Sequence, residues 1–550
     1  MAIISFLAFT ILVALISWWS VRGTDETSSA GYFLGGRSLS AVVIAGSLLL
    51  TNLSTEQIVG LNGQSYTEGL SVMAWETLAA LAMVVTAIFL LPRYLKGGLT
   101  TVPQFLERRF DISTKAMTSG LFLSGYAIVL LPVVLYSGSL AIVTMFDIPT
   151  KFGVSINTAL WGCVWGIGVI GSIYAIFGGL KAVAVSDSIN AVGLIIGGLM
   201  IPVFGLLLIG DGNMIDGLTE LTETNPDKFN SIGGPTNSVP FSTLFTGMML
   251  VNLFYWGTNQ AIIQRALGAK NLAEGQKGLL LGSFIKVLGP LIVVLPGIIA
   301  WHVFEGDLPK ADQAYPALVR EVLPLSLVGF FAAVLFGAIL SSFNSALNSS
   351  VTLFGIDIYK QYINTEASER QIVKAGKTFG TILALVSMIV APFLAQAESI
   401  FGWLQEINGC YSIPILTIIV VGYTTKRVPA IAAKIGLISG VVLYCISQFL
   451  IKPYIVGNAM ATANTRGITD VTQLAEIEAG AYPHYLHVMA ILFVLNITIM
   501  LIIGKLYPRS KDYELQYTKE VDITPWKHVK AAGIAICVLV VAVYAYFAQF

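Results

Sequence analysis

Two runs of hydrogen-bonding side chains interrupt otherwise apolar helical stretches: Thr51-Asn52-Leu53-Ser54-Thr55-Glu56-Gln57 and Asn252-Leu253-Phe254-Tyr255-Trp256-Gly257-Thr258-Asn259-Gln260. Hydroxyls, amides and a carboxylate grouped this way can exchange hydrogen bonds with a small polar solute without any covalent step. Glu76, Lys286, Asp187 and Glu406 add ionisable groups within or at the start of apolar stretches. At the bilayer centre such a charge costs about 2.5 to 3.5 kcal/mol on insertion scales, so each one marks a pairing or a site. Glu76 and Lys286 suit a buried pair, either purely structural or also holding substrate hydroxyls. Glu56 either caps backbone N–H groups at a helix break or meets a ligand. In Gly337-Ala338-Ile339-Leu340-Ser341-Ser342-Phe343-Asn344-Ser345, hydroxyls fall at i, i+1 and i+4 of one helix. With carbonyls freed at a break they can ligate a hard cation such as sodium; small hydroxyl residues also pack helices in membranes, and both readings stand.

Other chemistry has little support. His302, His484, His487 and His528 lie at the ends of apolar stretches without paired ligand spacing. Cys163, Cys410, Cys445 and Cys537 are scattered singly, which suggests core packing rather than a disulfide framework or metal site. A nucleotide-binding loop is lacking, which argues against an ATP-driven pump, and no nucleophile–base set suggests an enzyme.

The elements that must hold these residues follow from composition. Hydrophobic residues make up 55% of the chain and charged ones 11%, against about 25% charged in soluble domains. Fourteen apolar stretches, near 2–20, 40–62, 70–95, 116–144, 155–176, 188–210, 240–258, 278–301, 325–356, 378–396, 399–421, 431–450, 484–504 and 529–549, predict an all-α polytopic membrane protein. The first is expected to be retained, since it lacks a basic leader and a cleavage site and runs into Trp18-Trp19. Lys and Arg crowd the loops after odd-numbered stretches, whereas loops after even-numbered ones hold Lys151, Lys228, Lys310, Arg320, Lys452 and Arg466. The positive-inside rule then puts both termini outside.

The polar runs fall in the second and seventh stretches, which enter the membrane from opposite sides. Stretches 2–6 and 7–11 can therefore be inverted repeats around a midplane site, the arrangement of many secondary transporters. This divides the chain into 1–39 (first accessory helix and linker), 40–210 (first repeat), 211–239 (outside loop), 240–421 (second repeat) and 422–550 (accessory helices). Segments 211–240 and 452–484 are expected to form short helices and loops over the mouth, and 506–530 a solvated linker.

Several motifs in order resemble the solute:sodium symporter family, in particular its sodium/sugar branch. They are Asn52-Leu53-Ser54-Thr55-Glu56-Gln57, Tyr174 to Ala182, Asn252-Leu253-Phe254-Tyr255-Trp256-Gly257 with Gln264-Arg265, Leu295-Pro296-Gly297, and Ala338-Ile339-Leu340-Ser341-Ser342. The resemblance implies a leucine-transporter-like 5+5 inverted repeat with two broken helices, and coupling to inward sodium flow. It places sodium on the carbonyls of Leu50, Leu53 and Ala338 and the hydroxyls of Ser341 and Ser342. Sugar contacts fall on Gln57, Glu76, Asn252, Lys286 and Gln405, with Asn52 nearby; the inner gate falls on Tyr255 and the outer gate on Leu61, Trp75 and Phe401. A second sodium site, as in sialic-acid members, would fall on Asp187, Ser341, Asn344 and Ser345, with Asn344 where a serine is usual.

Galactose-transporting members carry a hydroxyl contact where this chain has Ala79, and a tyrosine at the position of Trp75, which weakens the case for galactose itself. The stretch Met117–Phe146 lacks the Arg or Lys that an anionic sugar needs. The expectation is a sodium-coupled symporter of a small neutral solute, most simply a sugar, in a bacterial inner membrane, with sodium, solute and lipid as partners and no nucleic acid or obligate protein partner. Symport of an amino acid or organic acid, sialic acid included, and an uncoupled channel or sensor are the alternatives.

Overall fold

In hydrocarbon every backbone N–H and C=O must be satisfied within the protein, which leaves helices as the means for single apolar runs to cross. The computed structural model describes residues 2–20, 28–396 and 400–550 and is helical throughout its apolar stretches. Part of the expected linker of segment 1–39, residues 21–27, lies outside the described residues. Among the described residues, ten helices are long and apolar enough to cross a membrane, or eleven if the pair Leu272–Leu288 and Pro290–Val303, bent by 46°, counts as one. This is fewer than the 14 stretches expected, because helical turns join some end to end, as in Thr55–Lys96, and breaks shorten others, as in Ala41–Asn52.

Helix α1 (Ala2–Ser20) is followed by α2 (Ala41–Asn52) and α3 (Thr55–Glu68). Leu53 (φ −76°, ψ 55°) and Ser54 (φ −86°, ψ −178°) leave helical geometry between α2 and α3, so the first polar run is a true break. Helix α4 (Ala74–Val85) carries Glu76, and α5 (Ile156–Ile209) follows after the Ile112–Phe146 span. The second break lies near the end of its polar run. Helix α6 (Gly247–Gly257) continues through Asn252 and Tyr255, and the break comes at Thr258-Asn259, before α7 (Gln260–Leu267). Asn259 caps α7 there: its Oδ1 accepts from Ala261 N–H at 3.0 Å and from the Tyr126 hydroxyl at 2.6 Å. The span expected at 240–258 therefore runs from 247 to 267, and Phe241–Phe245 is a separate 3₁₀ turn.

A third bend follows α8 (Leu272–Leu288) at Gly289-Pro290. Glycine is needed there, since a Cβ on Gly289 would lie 2.3 Å from Glu76 Oε2. Helix α9 (Leu325–Thr352) packs on α5 along small residues: Gly197 meets Phe331, and Gly337 meets Asn190. No separate loop interrupts α5, although one was expected near Lys181. Gly171 lies against Phe343 and Leu340 while Asp187 lies beside Ser341. A straight helix would separate residues 171 and 187 by about 24 Å, farther than these neighbouring turns of α9 reach, so α5 bends between them, and Ile156–Ile173 and Leu180–Ile209 each have the length and apolarity of a span. Last come α10 (Ile400–Thr424) and α11 (Ala430–Ile446), then the helices Tyr485–Leu506 and Val529–Phe547.

Loops gather on two faces. On the basic face Arg109 donates to the carbonyls of Gly422, Thr425 and Val428, and Arg509 donates to Arg109 O at 2.8 Å. The segment after Leu506, expected to be a solvated linker, is pinned across this face: Tyr513 N donates to Lys426 O, Thr518 N to Lys96 O, and Leu272 N to Asp522 O. Its polar backbone has partners in neighbouring loops, a pairing that composition does not reveal. On the opposite face lie the helices Met214–Thr224, Lys452–Thr465 and Val471–Ala481, as expected for the long segments there. Lys228 caps α3 on this face by donating to Tyr66 O at 3.0 Å and Thr67 O at 2.6 Å.

Candidate functional site

The first break, α4, α6 and α10 surround a cavity of about 50 Å³ lined by Asn52, Glu56, Gln57, Trp75, Asn252, Tyr255, Trp256, Gln405 and Asn408, with Ala79 in its wall. Every expected substrate residue except Glu76 and Lys286 reaches this wall. Asn408 follows Gln405 by three residues on α10, a spacing that gives both a common face; Tyr411 donates to its Oδ1 at 2.6 Å. Sequence reasoning missed Asn408, although that spacing was available as a signal. Asn52 Oδ1 and Glu56 Oε2 are buried without a protein partner. Free acceptors at the wall of an amide-lined cavity are what a hydroxylated ligand can satisfy.

Glu76 and Lys286 stand one layer behind. Lys286 Nζ donates to Glu76 Oε1 at 2.8 Å and Oε2 at 2.6 Å, and both side chains are fully buried. Gln57 Nε2 donates to Glu76 Oε1 at 2.8 Å, which fixes its amide with the nitrogen turned away from the cavity and the oxygen available. Lys286 also lies 5.5 Å from the centre of the Trp256 ring. The ion pair thus orients cavity residues through Gln57 and Trp256, a layered arrangement that the linear sequence could not distinguish from direct contact.

Beside the first break, α9 lies against the end of α2. Ser342 Oγ donates to Thr51 O at 2.8 Å, and Thr51 Oγ1 lies 3.4 Å from Ser341 Oγ and 3.1 Å from Ser345 Oγ. Leu50 and Leu53 flank Thr51, and Ala338 stands one turn before Ser342; all are buried. The residues expected to hold sodium therefore share one seam, joined by Thr51, which was not singled out. The seam is made of hydroxyls and carbonyls, the neutral oxygen donors that suit a hard cation.

The residues expected for a second cation meet an additional group. Ser47 Oγ donates to Asp187 Oδ2 at 2.7 Å, and Arg265 Nε donates to that same Ser47 at 3.2 Å. The Arg265 guanidinium also bonds Ser345 and the Ala261 carbonyl, and it is 1% exposed. Asp187 thus faces a protein cation across one hydroxyl. Asn344 Oδ1 is buried without a protein partner.

Trp75 and Phe401 close one end of the cavity, with ring centres 5.3 Å apart and nearly perpendicular planes, and Leu61 is buried in the same cluster. Beyond them a vestibule of about 430 Å³ opens, with Gln64, Gln405, Glu406, Lys452 and Tyr482 in its wall. Tyr255 bounds the other end, its hydroxyl beside the Asn52 amide and its ring 5.3 Å from that of Trp256. Trp75, Phe401 and Tyr255 thus fall at an end of the cavity, whereas Leu61 lines neither the cavity nor the vestibule.

The profile of the "Sodium:solute symporter family" matches residues 32–440. The chain is 47% identical over its whole length to the uncharacterized symporter YidK of Escherichia coli, covering 91% of that protein. It is 32% identical to a sodium/glucose cotransporter of Vibrio parahaemolyticus, over 82% of this chain and 86% of that one. Sodium/myo-inositol cotransporter 2 of Rattus norvegicus is 28% identical over 82% of this chain and 70% of its own. The fold matches that of a Na⁺-coupled sialic acid symporter in its substrate-bound outward-open state, with TM-score 0.70 and 19% identity, over 93% of this chain and 99% of that one. The chain is accordingly a multi-pass membrane transporter, not an enzyme, and belongs to the sodium:solute symporter family.

Proposed function

We propose that this protein imports a small neutral polyhydroxy solute, a sugar or polyol, together with sodium by alternating access. The observation that carries this reading is the closed cavity walled by amides and aromatic rings beside the hydroxyl and carbonyl seam at Thr51. Glu56 contributes a carboxylate with a free oxygen to that wall, which favours a neutral donor-rich ligand over an anion. About 50 Å³ holds a few waters, whereas small-molecule sites run to about 300–1,000 Å³. Entry therefore requires Phe401 to part from Trp75, and release requires Tyr255 to move.

On this reading Asn52, Gln57, Asn252, Gln405 and Asn408 contact the solute, while Glu76 and Lys286 hold Gln57 in position. Leu50, Leu53, Ala338, Ser341 and Ser342 coordinate sodium; because they pack α2 against α9, bound sodium stabilises the conformation in which the first repeat is docked. We assign residues 40–210 and 240–421 as the inverted repeats, and the basic face, with its Arg and Lys loops, as cytoplasmic. Asp187 already faces Arg265, so a second sodium at Asp187, Ser341, Asn344 and Ser345 would compete with a resident cation. Coupling to one sodium follows.

Uptake by purified protein in liposomes, measured for labelled sugars, polyols, amino acids and organic acids under an imposed sodium gradient, tests the reading. Saturable sugar or polyol uptake with a Hill coefficient near one for sodium is the expected result. Uptake that persists when choline replaces sodium would refute coupling, and selective uptake of organic anions would refute the neutral solute.

A further inference from the structure

Two thiols 35 residues apart in sequence meet between α10 and α11, where the Cys445 and Cys410 sulfurs are 3.7 Å apart. Core packing was expected at both positions, and the tertiary structure packs these two free thiols against each other. Side-chain rotation must bring the sulfurs from contact to about 2.05 Å for a bond. A neighbouring bond joins the two helices at this level, the Tyr444 hydroxyl donating to Glu406 O at 2.8 Å, and Lys452 Nζ, beyond the end of α11, donates to Glu406 Oε1 at 2.8 Å. Both thiols are half-buried.

Their position gives a bond here a consequence. Phe401, Gln405 and Asn408 follow one another at helical spacing along the cavity face of α10. Cys410 lies two residues past Asn408, about 200° around the helix, and so looks away from the cavity toward α11. Phe401 closes the cavity against Trp75, so the helix that carries the gate is also the helix that carries the thiol.

We propose that Cys410 and Cys445 are a reversible disulfide site whose oxidation ties the gate helix α10 to α11 and arrests transport. The oxidant is a membrane-permeant two-electron acceptor of the hydroperoxide or diazenedicarboxamide class. With a hydroperoxide, one thiolate attacks the terminal oxygen and releases an alcohol, leaving a sulfenic acid; the second thiolate attacks that sulfur and expels hydroxide, which leaves as water. The two thiol hydrogens end in the alcohol and the water. With diamide, one thiol adds across the N=N bond and the second displaces the hydrazine. A dithiol reverses either route by exchange.

The effect on transport rests on the gating reading above, whereas the bond itself does not, and the test separates them. Full-length protein in liposomes is treated with diamide, its free thiols are counted and its peptides mapped by mass spectrometry. The expected result is a fall from four free thiols to two, a cross-linked peptide joining Cys410 to Cys445, and recovery of all four with dithiothreitol. Sodium-dependent uptake is lost and regained in parallel. Cys445→Ser transports normally and resists diamide, with Cys410→Ser as the second variant should the first not fold. Four thiols surviving diamide, or a bond joining other cysteines, would overturn the site. A Cys410–Cys445 bond with unchanged uptake, or equal diamide sensitivity in the serine variants, would overturn the clamp. Thiol counting and peptide mapping need no transported solute, so an error in the substrate leaves that arm intact.

Discussion

Glu76 accepts from Lys286 through both oxygens and from Gln57 through one, so two buried side chains depend on a single carboxylate. Removing one partner leaves a bare charge: Lys286→Met is expected to destabilise the protein by about 3–5 kcal/mol, and Glu76→Gln combined with Lys286→Met to recover part of that loss. Thermal unfolding in detergent across the double-mutant cycle measures it; equal effects of the single and double variants would show that the pair is not a unit. At the seam, Ser342→Ala removes the donor to Thr51 O, and is expected to raise the sodium concentration needed for half-maximal uptake while leaving solute affinity at saturating sodium nearly unchanged. The sequence made these residues visible as expensive polar groups in apolar helices. Their order in depth, Gln57 at the wall and Glu76 behind it, was not legible, because spacing along two different helices carries no information about which lies nearer a cavity.

At the scale of elements, both interruptions were legible as polar runs, the first with its break in the middle and the second with its break near the end. Asn252 and Tyr255 stand on intact helix, and the break comes at Thr258-Asn259, where Asn259 Oδ1 and the Tyr126 hydroxyl both accept from Ala261 N–H at the start of α7. Asn259→Ala removes that cap and the acceptor for Tyr126, with an expected cost of about 0.5–2 kcal/mol and weaker solute binding as α7 frays. Unfolding temperature and uptake together check this: unchanged values for both would show that the cap is dispensable. Gly289→Ala is expected to be worse for activity than for helix propensity, since its methyl group meets Glu76 Oε2 before it meets solvent. Loss of uptake with preserved folding, measured by size-exclusion profile and transport, is the expected signature.

For the whole molecule, alternation of basic loops predicts a cytoplasmic basic face, and the fold collects those loops on one side with the segment after Leu506 pinned across them. A cysteine introduced at Glu478, in the vestibule wall, should react with an impermeant maleimide from outside intact cells, whereas one at Lys511 should not. The reverse pattern would invert the proposed topology. Trp75→Ala should open the vestibule into the cavity, raising the rate of solute entry and weakening the retention of bound solute.

By itself, the sequence determined that this chain is helical and membrane-spanning, where its first break lies, and which scarce polar residues had to find partners, because hydrocarbon penalises each unpaired polar group locally. Only the tertiary structure decided which partners those were. Arg265 reaches Asp187 through Ser47, Thr51 joins the serines of α9, and Cys410 meets Cys445, since such contacts depend on how distant helices cross rather than on any interval along the chain.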